Sequence, residues 1–141
     1  MICMHTETFD MYLSDQCTIP NGYMLIDDLI APTIQVLNRK GYITEWSCSG
    51  HSLEESFIID GEFGKYIKAT SPPNSYISFK EDISLPTLPC GFVKDSVSNK
   101  LTIRKWSYDG DNFFEISRNI LETMEQIYKW ALDLPDFKGE I

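Results

Sequence analysis

Between Asp27 and His51 the chain spells out a helix, a stop, a strand and a turn in one unbroken run. Ile26, Leu29, Ile30, Ile34 and Leu37 recur at helical spacing and predict a helix over roughly Met24 to Arg39 with one apolar stripe. Pro32 lacks an N–H and is tolerated only near a helix start, so the helix begins close to Asp28 or kinks there. Gly41 is suited to the residue just past a helix end, with Arg39 and Lys40 favourable near the negative end of the dipole. Tyr42, Ile43, Thr44 and Trp46 then favour a pleated backbone, predicting a strand from Tyr42 to Ser47. Ser47, Cys48, Ser49 and Gly50 have little bulk, and Gly50 accepts positive φ at no steric cost. A turn of this kind can aim several N–H groups at one point, which makes a small anion or nucleotide pocket. The alternative is a plain tight turn with Cys48 packed as a small hydrophobe.

The same stretch resembles the Pro…Leu-Asn…Tyr-x-Thr-x-x-Ser-Cys-Ser-Gly pattern of the tRNA wybutosine-synthesising methyltransferase family, and small bacterial and phage proteins look similar over it. The resemblance covers about 25 of the 141 residues. It carries over at Ser47, Cys48, Ser49 and Gly50 and departs at His51, where the family has Arg. It implies a compact α/β domain and methyl transfer from S-adenosylmethionine to a modified guanosine of tRNA.

Charge bounds the partners. With 12 basic and 21 acidic residues the net charge is −9, which repels nucleic-acid backbones unless the basic residues cluster. The densest basic groups are the pairs Arg39-Lys40 and Arg104-Lys105, so nucleic acid is disfavoured and a small ligand or a protein partner is favoured. Hydrophobic residues at 43% supply an ordinary core for one domain of common size. No apolar run approaches the ~20 residues of a membrane helix, and the first ten residues lack a signal-peptide pattern. Cysteines at 3, 17, 48 and 90 show no paired spacing, so reduced thiols in a cytoplasmic protein are expected. A homo-oligomer is compatible with all of this.

Elsewhere the chain divides as follows. Residues 1–22 read as an irregular arm ending in a Pro20-Asn21-Gly22 turn. Residues 52–75 read as a surface excursion. A strand is expected at Tyr76 to Lys80, then a hairpin from Phe92–Val97 and Leu101–Trp106. The last element is a helix from about Asn112 to Leu134, with Asn112 and Glu115 as capping residues and Pro135 as its stop. Its stripe is Phe113, Ile116, Ile120, Met124, Ile127, Tyr128 and Ala131. The order predicts an α/β (α+β) fold, a mixed sheet of about four strands with two main helices packed on it.

Three groups of residues can carry chemistry. Cys48 and His51 are three apart, as in a thiolate pair, but no third residue is evident to orient His51, and a buried thiol beside a polar imidazole is the preferred reading. Cys3, His5, Cys48 and His51 make the ligand count of a zinc tetrahedron, yet the single-residue gap of Cys3-x-His5 is shorter than structural zinc sites use, so no metal is assigned. Arg104 shares a strand face with Thr102 and Trp106, opposite Leu101 and Ile103. A planar guanidinium beside an indole suits a phosphate or carboxylate attached to a flat base.

Three functions are therefore carried, in order. The first is a non-catalytic binder of a nucleotide-like anion through Ser47, Cys48, Ser49, Gly50, His51, Arg104 and Trp106, the kind of domain a phage uses to sequester a host signalling nucleotide. The second is an S-adenosylmethionine-dependent methyltransferase. The third is a structural or protein-interaction domain without ligand.

Overall fold

The computed structural model describes residues 2–13, 19–50, 57–59, 66–68, 74–95, 100–111 and 113–137. Its elements are β1 (Ile2–His5), β2 (Met11–Leu13), β3 (Tyr23–Ile26), α1 (Ala31–Arg39), β4 (Thr44–Cys48), β5 (Phe57–Ile59), β6 (Tyr66–Lys68), β7 (Ser75–Phe79), β8 (Val93–Lys94), β9 (Thr102–Lys105) and α2 (Phe113–Asp133). The described residues thus form an α+β fold with two helices, a four-stranded sheet in the order β4-β7-β9-β8, a three-stranded sheet β2-β1-β3, and the β5-β6 pair.

Three expectations change. The four-stranded sheet is antiparallel at every pairing, where a mixed sheet was expected. Neither described helix bridges two of its strands, so among the described residues no βαβ crossover makes a parallel pair. Residues 2–5 and 11–13 are paired strands, not an irregular arm, and β3 adds to the other side of β1. Met24 to Ile26 belongs to that strand, so α1 starts only at Ala31. Leu29 drops out of the expected stripe and stands 41% exposed. Of the excursion at 52–75, strands β5 and β6 pair with each other, and the rest lies outside the described residues up to Asn74.

The helix ends follow local chemistry. Pro32 sits in the first turn of α1, where its missing N–H costs nothing. At the other end Gly41 has φ +97, its N–H reaches Asn38 O at 3.0 Å, and the Tyr42 N–H reaches Leu37 O at 2.9 Å. That double bond pattern is a Schellman stop. Lys40 does not serve its own helix. Its ammonium donates to the carbonyls of Ala131, Leu132 and Leu134 at 3.0, 2.6 and 2.5 Å, capping α2 instead. The segment after α2 is tied to the same corner, since Tyr42 Oη donates to Pro135 O at 2.6 Å.

Both helices lie on one face of the large sheet. Ile77, Phe79 and Ile103 point inward from β7 and β9. They meet Ile30 just before α1, Ile34 and Leu37 from α1, and Ile116, Ile120, Met124, Ile127 and Ala131 from α2. Met4 and Ile26 of the small sheet join the same core. Each such side chain contributes about 1.5–3 kcal/mol by leaving water. The stripe expected on α2 is buried as read, with Tyr128 half-buried; Asn112 and the Phe113 side chain lie outside the described residues. Among the described residues no helix packs on the opposite face of the four-stranded sheet.

Candidate functional site

The turn after β4 is held from within. Ser49 is fully buried, and both its N–H and its hydroxyl donate to the Asp27 carboxylate at the end of β3. The Gly50 N–H turns back to Cys48 Sγ at 3.4 Å. Gly50 sits at φ +98, and a Cβ there would come within 3.3 Å of Ile120 Cδ1 and 3.5 Å of Ser75 Oγ, so the position requires glycine. The small residues therefore permit close packing against β7 and α2. The N–H groups of Ser49 and Gly50, expected to point at a ligand, are engaged inside the fold. Sequence reading missed Asp27, whose carboxylate arrives from 22 positions away.

The polar chain continues inward. Ser75 Oγ donates to Ser49 O at 2.8 Å, and the Tyr108 hydroxyl lies 2.6 Å from Ser75 Oγ. Burial pushes the Tyr108 hydroxyl above its ordinary pKa; hydrogen bonds with Ser75 and Thr123 pull it down, and Cys48 adds a smaller upward push. The folded state therefore keeps a proton that the unfolded chain releases near pH ~10. Stability is expected to be intact below that pH and to fall as pH rises beyond it, by up to about 1.4 kcal/mol per pH unit. Tyr42 acts in the same direction, through burial and then Asp136. Tyr108→Phe should flatten part of this alkaline decline and cost about 1 kcal/mol at neutral pH, read from urea midpoints on both sides of pH ~10. An unchanged alkaline slope would contradict the assignment.

The sheet face opposite the two described helices gathers the other candidates. Strand register puts Cys48 of β4 opposite Tyr76 of β7, Tyr76 opposite Arg104 of β9, and Arg104 opposite Val93 of β8. Directly opposed residues share a face, so these four make one row. A second row runs through Trp46, Ser78 and Thr102, where the Thr102 hydroxyl donates to Ser78 Oγ at 3.0 Å. The Arg104 guanidinium is clamped between two rings, 4.7 Å from the Tyr76 centroid and 4.8 Å from that of Trp106. Its Nε donates to Asp95 Oδ2 at 3.0 Å and its Nη1 to Asn74 Oδ1 at 2.7 Å. These contacts fix the plane of the guanidinium before any ligand arrives.

Of the seven residues named from sequence, Cys48, Arg104 and Trp106 therefore share the outer face. Ser49 and Gly50 are buried, and Ser47 lies opposite Ile77, on the other face of β4. His51 lies outside the described residues. Tyr76, Asp95 and Asn74 join the site without having been named for it, and Trp46 stands on the same face in the next row. Tyr76 was legible, because it alternates with the buried Ile77 and Phe79.

Two clefts run along the free edge of β4. The larger, about 410 Å³, is walled by Phe9, Met24, Thr44, Trp46, Lys80 and Lys100. Its neighbour, about 310 Å³, adds Ile19, Leu25 and Ser47 and shares Met24, Glu45 and Trp46. The larger cavity is thus beside the Arg104 row, and Trp46, 66% exposed, borders both. The convergent planar and charged groups are at Arg104, so the chemistry is assigned there.

Among the described residues no three His, Cys, Asp or Glu side chains cluster as metal ligands. Cys3 is buried in β1, and His5 Nδ1 accepts the N–H groups of Glu7 and Thr8, each at 3.1 Å, which makes it a turn-stabilising group. Among the described residues Cys3, Cys48 and Cys90 form no disulfide. No helix among the described residues is long and apolar enough to cross a membrane. Comparison of the chain with protein-family models, with curated proteins and with solved structures returned no match.

Proposed function

We propose that the chain is a binding domain for a nucleotide-like anion, seated on the outer face of the four-stranded sheet. The observation that carries this is the guanidinium of Arg104, stacked between Tyr76 and Trp106 and tethered by Asp95 and Asn74. Among the described residues only two of its five N–H groups have acceptors, which leaves donors for a phosphate or carboxylate. Trp106 is 56% exposed and offers its indole to a flat ring. Anion donors and an aromatic surface side by side are what a base linked to a phosphate requires. The role that fits is sequestration: a binder of a signalling nucleotide needs affinity and no turnover.

The test begins with mass spectrometry of small molecules released from heat-denatured protein, followed by calorimetric titration with nucleoside monophosphates, ribose 5-phosphate and S-adenosylmethionine. A released nucleotide, or monophosphate binding that exceeds ribose 5-phosphate binding, is expected. Binding of S-adenosylmethionine alone would favour the methyltransferase reading. Binding of none of them would leave the interaction-domain reading.

A further inference from the structure

Trp46, Tyr76 and Trp106 fall on one straight diagonal of the outer face. Trp46 lies opposite Ser78, two residues along β7 from Tyr76, and Trp106 lies two residues beyond Arg104, which is opposite Tyr76. With strands about 4.8 Å apart and about 3.4 Å of rise per residue, each step of the diagonal is about 8 Å between Cα atoms. The two indoles thus stand at the ends of a line of roughly 16 Å, and Arg104 lies between them. Both are more than half exposed, at 66% and 56%. Between them lies Tyr76 with the Arg104 guanidinium over its ring, flanked by Cys48 and by the buried, mutually hydrogen-bonded Ser78 and Thr102.

A mononucleotide would use Arg104 and one indole and leave the other idle. The charges point the same way. Arg104 is paired with Asp95 and Lys100 with Glu45, so this side of the sheet has two of its cations offset by carboxylates, with Lys80 beside Trp46 as a third cation. It suits a group with one negative charge shared by two bases, and not a chain of phosphates. We infer that the face takes two flat bases joined through a phosphodiester, with one base against Trp46, the other against Trp106 and the bridging phosphate at Arg104. This rests on the nucleotide reading above and sharpens it. The two bases cannot stack on each other at about 3.4 Å and also lie on indoles this far apart, so the ligand is bound opened out. The same base–phosphate–base unit occurs in single-stranded nucleic acid. The net charge of −9 disfavours a long polyanion, so the unit is a free dinucleotide.

The experiment titrates the folded chain with the four homodinucleoside monophosphates (ApA, CpC, GpG, UpU), the matching mononucleotides, and decanucleotides of the same bases, by calorimetry and tryptophan quenching. At least one dinucleotide is expected to bind roughly ten-fold or more tightly than its mononucleotide, because the second base binds as an intramolecular event. Trp46→Ala should bring that dinucleotide down to the mononucleotide level and leave mononucleotide affinity within about two-fold, with an unchanged melting curve. Trp106→Ala should weaken both. If mononucleotides bind as well as dinucleotides, or if Trp46→Ala is silent, the two-base inference fails and the nucleotide reading stands. A decanucleotide that binds more tightly than the dinucleotide, with steep salt dependence, would replace the small ligand by single-stranded nucleic acid. No binding of any probe would remove both.

Discussion

Arg104→Ala is expected to weaken nucleotide binding by about 1.5–3 kcal/mol, roughly 10- to 150-fold, the scale of a hydrogen bond to a charged group. Arg104→Lys should recover little. An ammonium has neither the flat faces that Tyr76 and Trp106 grip nor the fork that serves Asp95, Asn74 and a ligand oxygen at once. The fold should tolerate both changes. The Arg104–Asp95 pair is partly open to solvent, with about a fifth and a quarter of the two side chains accessible, and such pairs contribute little to stability. Calorimetric affinity beside a urea unfolding curve checks this. Unchanged affinity in a variant that still unfolds cooperatively would remove Arg104 from the site.

The residues that make this site differ in how far the sequence exposed them. Alternation in Leu101 to Trp106 placed Arg104 and Trp106 on one face, and the structure keeps them there, because period-2 patterning fixes the face of a strand once Ile103 is buried. Gly41 was readable as a helix stop for a similarly local reason, since positive φ there needs a residue without Cβ. The partners of Arg104 were not readable. Tyr76 and Asn74 meet it through strand pairing across about 30 positions, and register is a property of the folded sheet.

The N-terminal sheet was hidden for another reason. Ile2-Cys3-Met4-His5 is short and has one β-branched residue, so its strand character comes from pairing on both sides and not from propensity. Ile26 and Ile30 misled in a specific way. They are four apart and both buried, as in a helix, but one ends a strand and the other precedes α1. The turn at Ser47 to Gly50 shows the limit of composition most directly. Small residues leave space, and whether a ligand or a carboxylate of the same chain fills it depends on a distant segment.

That carboxylate is the subject of the second large effect. Asp27→Ala should destabilise the protein by about 2–4 kcal/mol, because it strands two donors, the N–H and hydroxyl of the fully buried Ser49, and charge-accepting bonds of this kind are worth about 1.5–3 kcal/mol. Asp27→Asn retains one acceptor oxygen and should lose less. Ser49→Ala removes one donor and leaves the backbone N–H bonded, so about 1 kcal/mol is expected. The two sites share a partner and must couple. The double variant should be less destabilised than the sum of the singles by on the order of 1 kcal/mol. Denaturant midpoints at constant slope measure all four corners of the cycle, and strict additivity would show that the bond carries no energy of its own. The consequence reaches the ligand face. Asp27 follows β3 and leads into α1, its main-chain oxygen accepting the N–H groups of Ile30 and Ala31, while its side chain holds the end of β4. It therefore pins the small sheet to the strand that carries Trp46 and Cys48. Asp27→Asn, folded but less tightly pinned, should lose more dinucleotide than mononucleotide affinity, since only the former depends on where Trp46 stands.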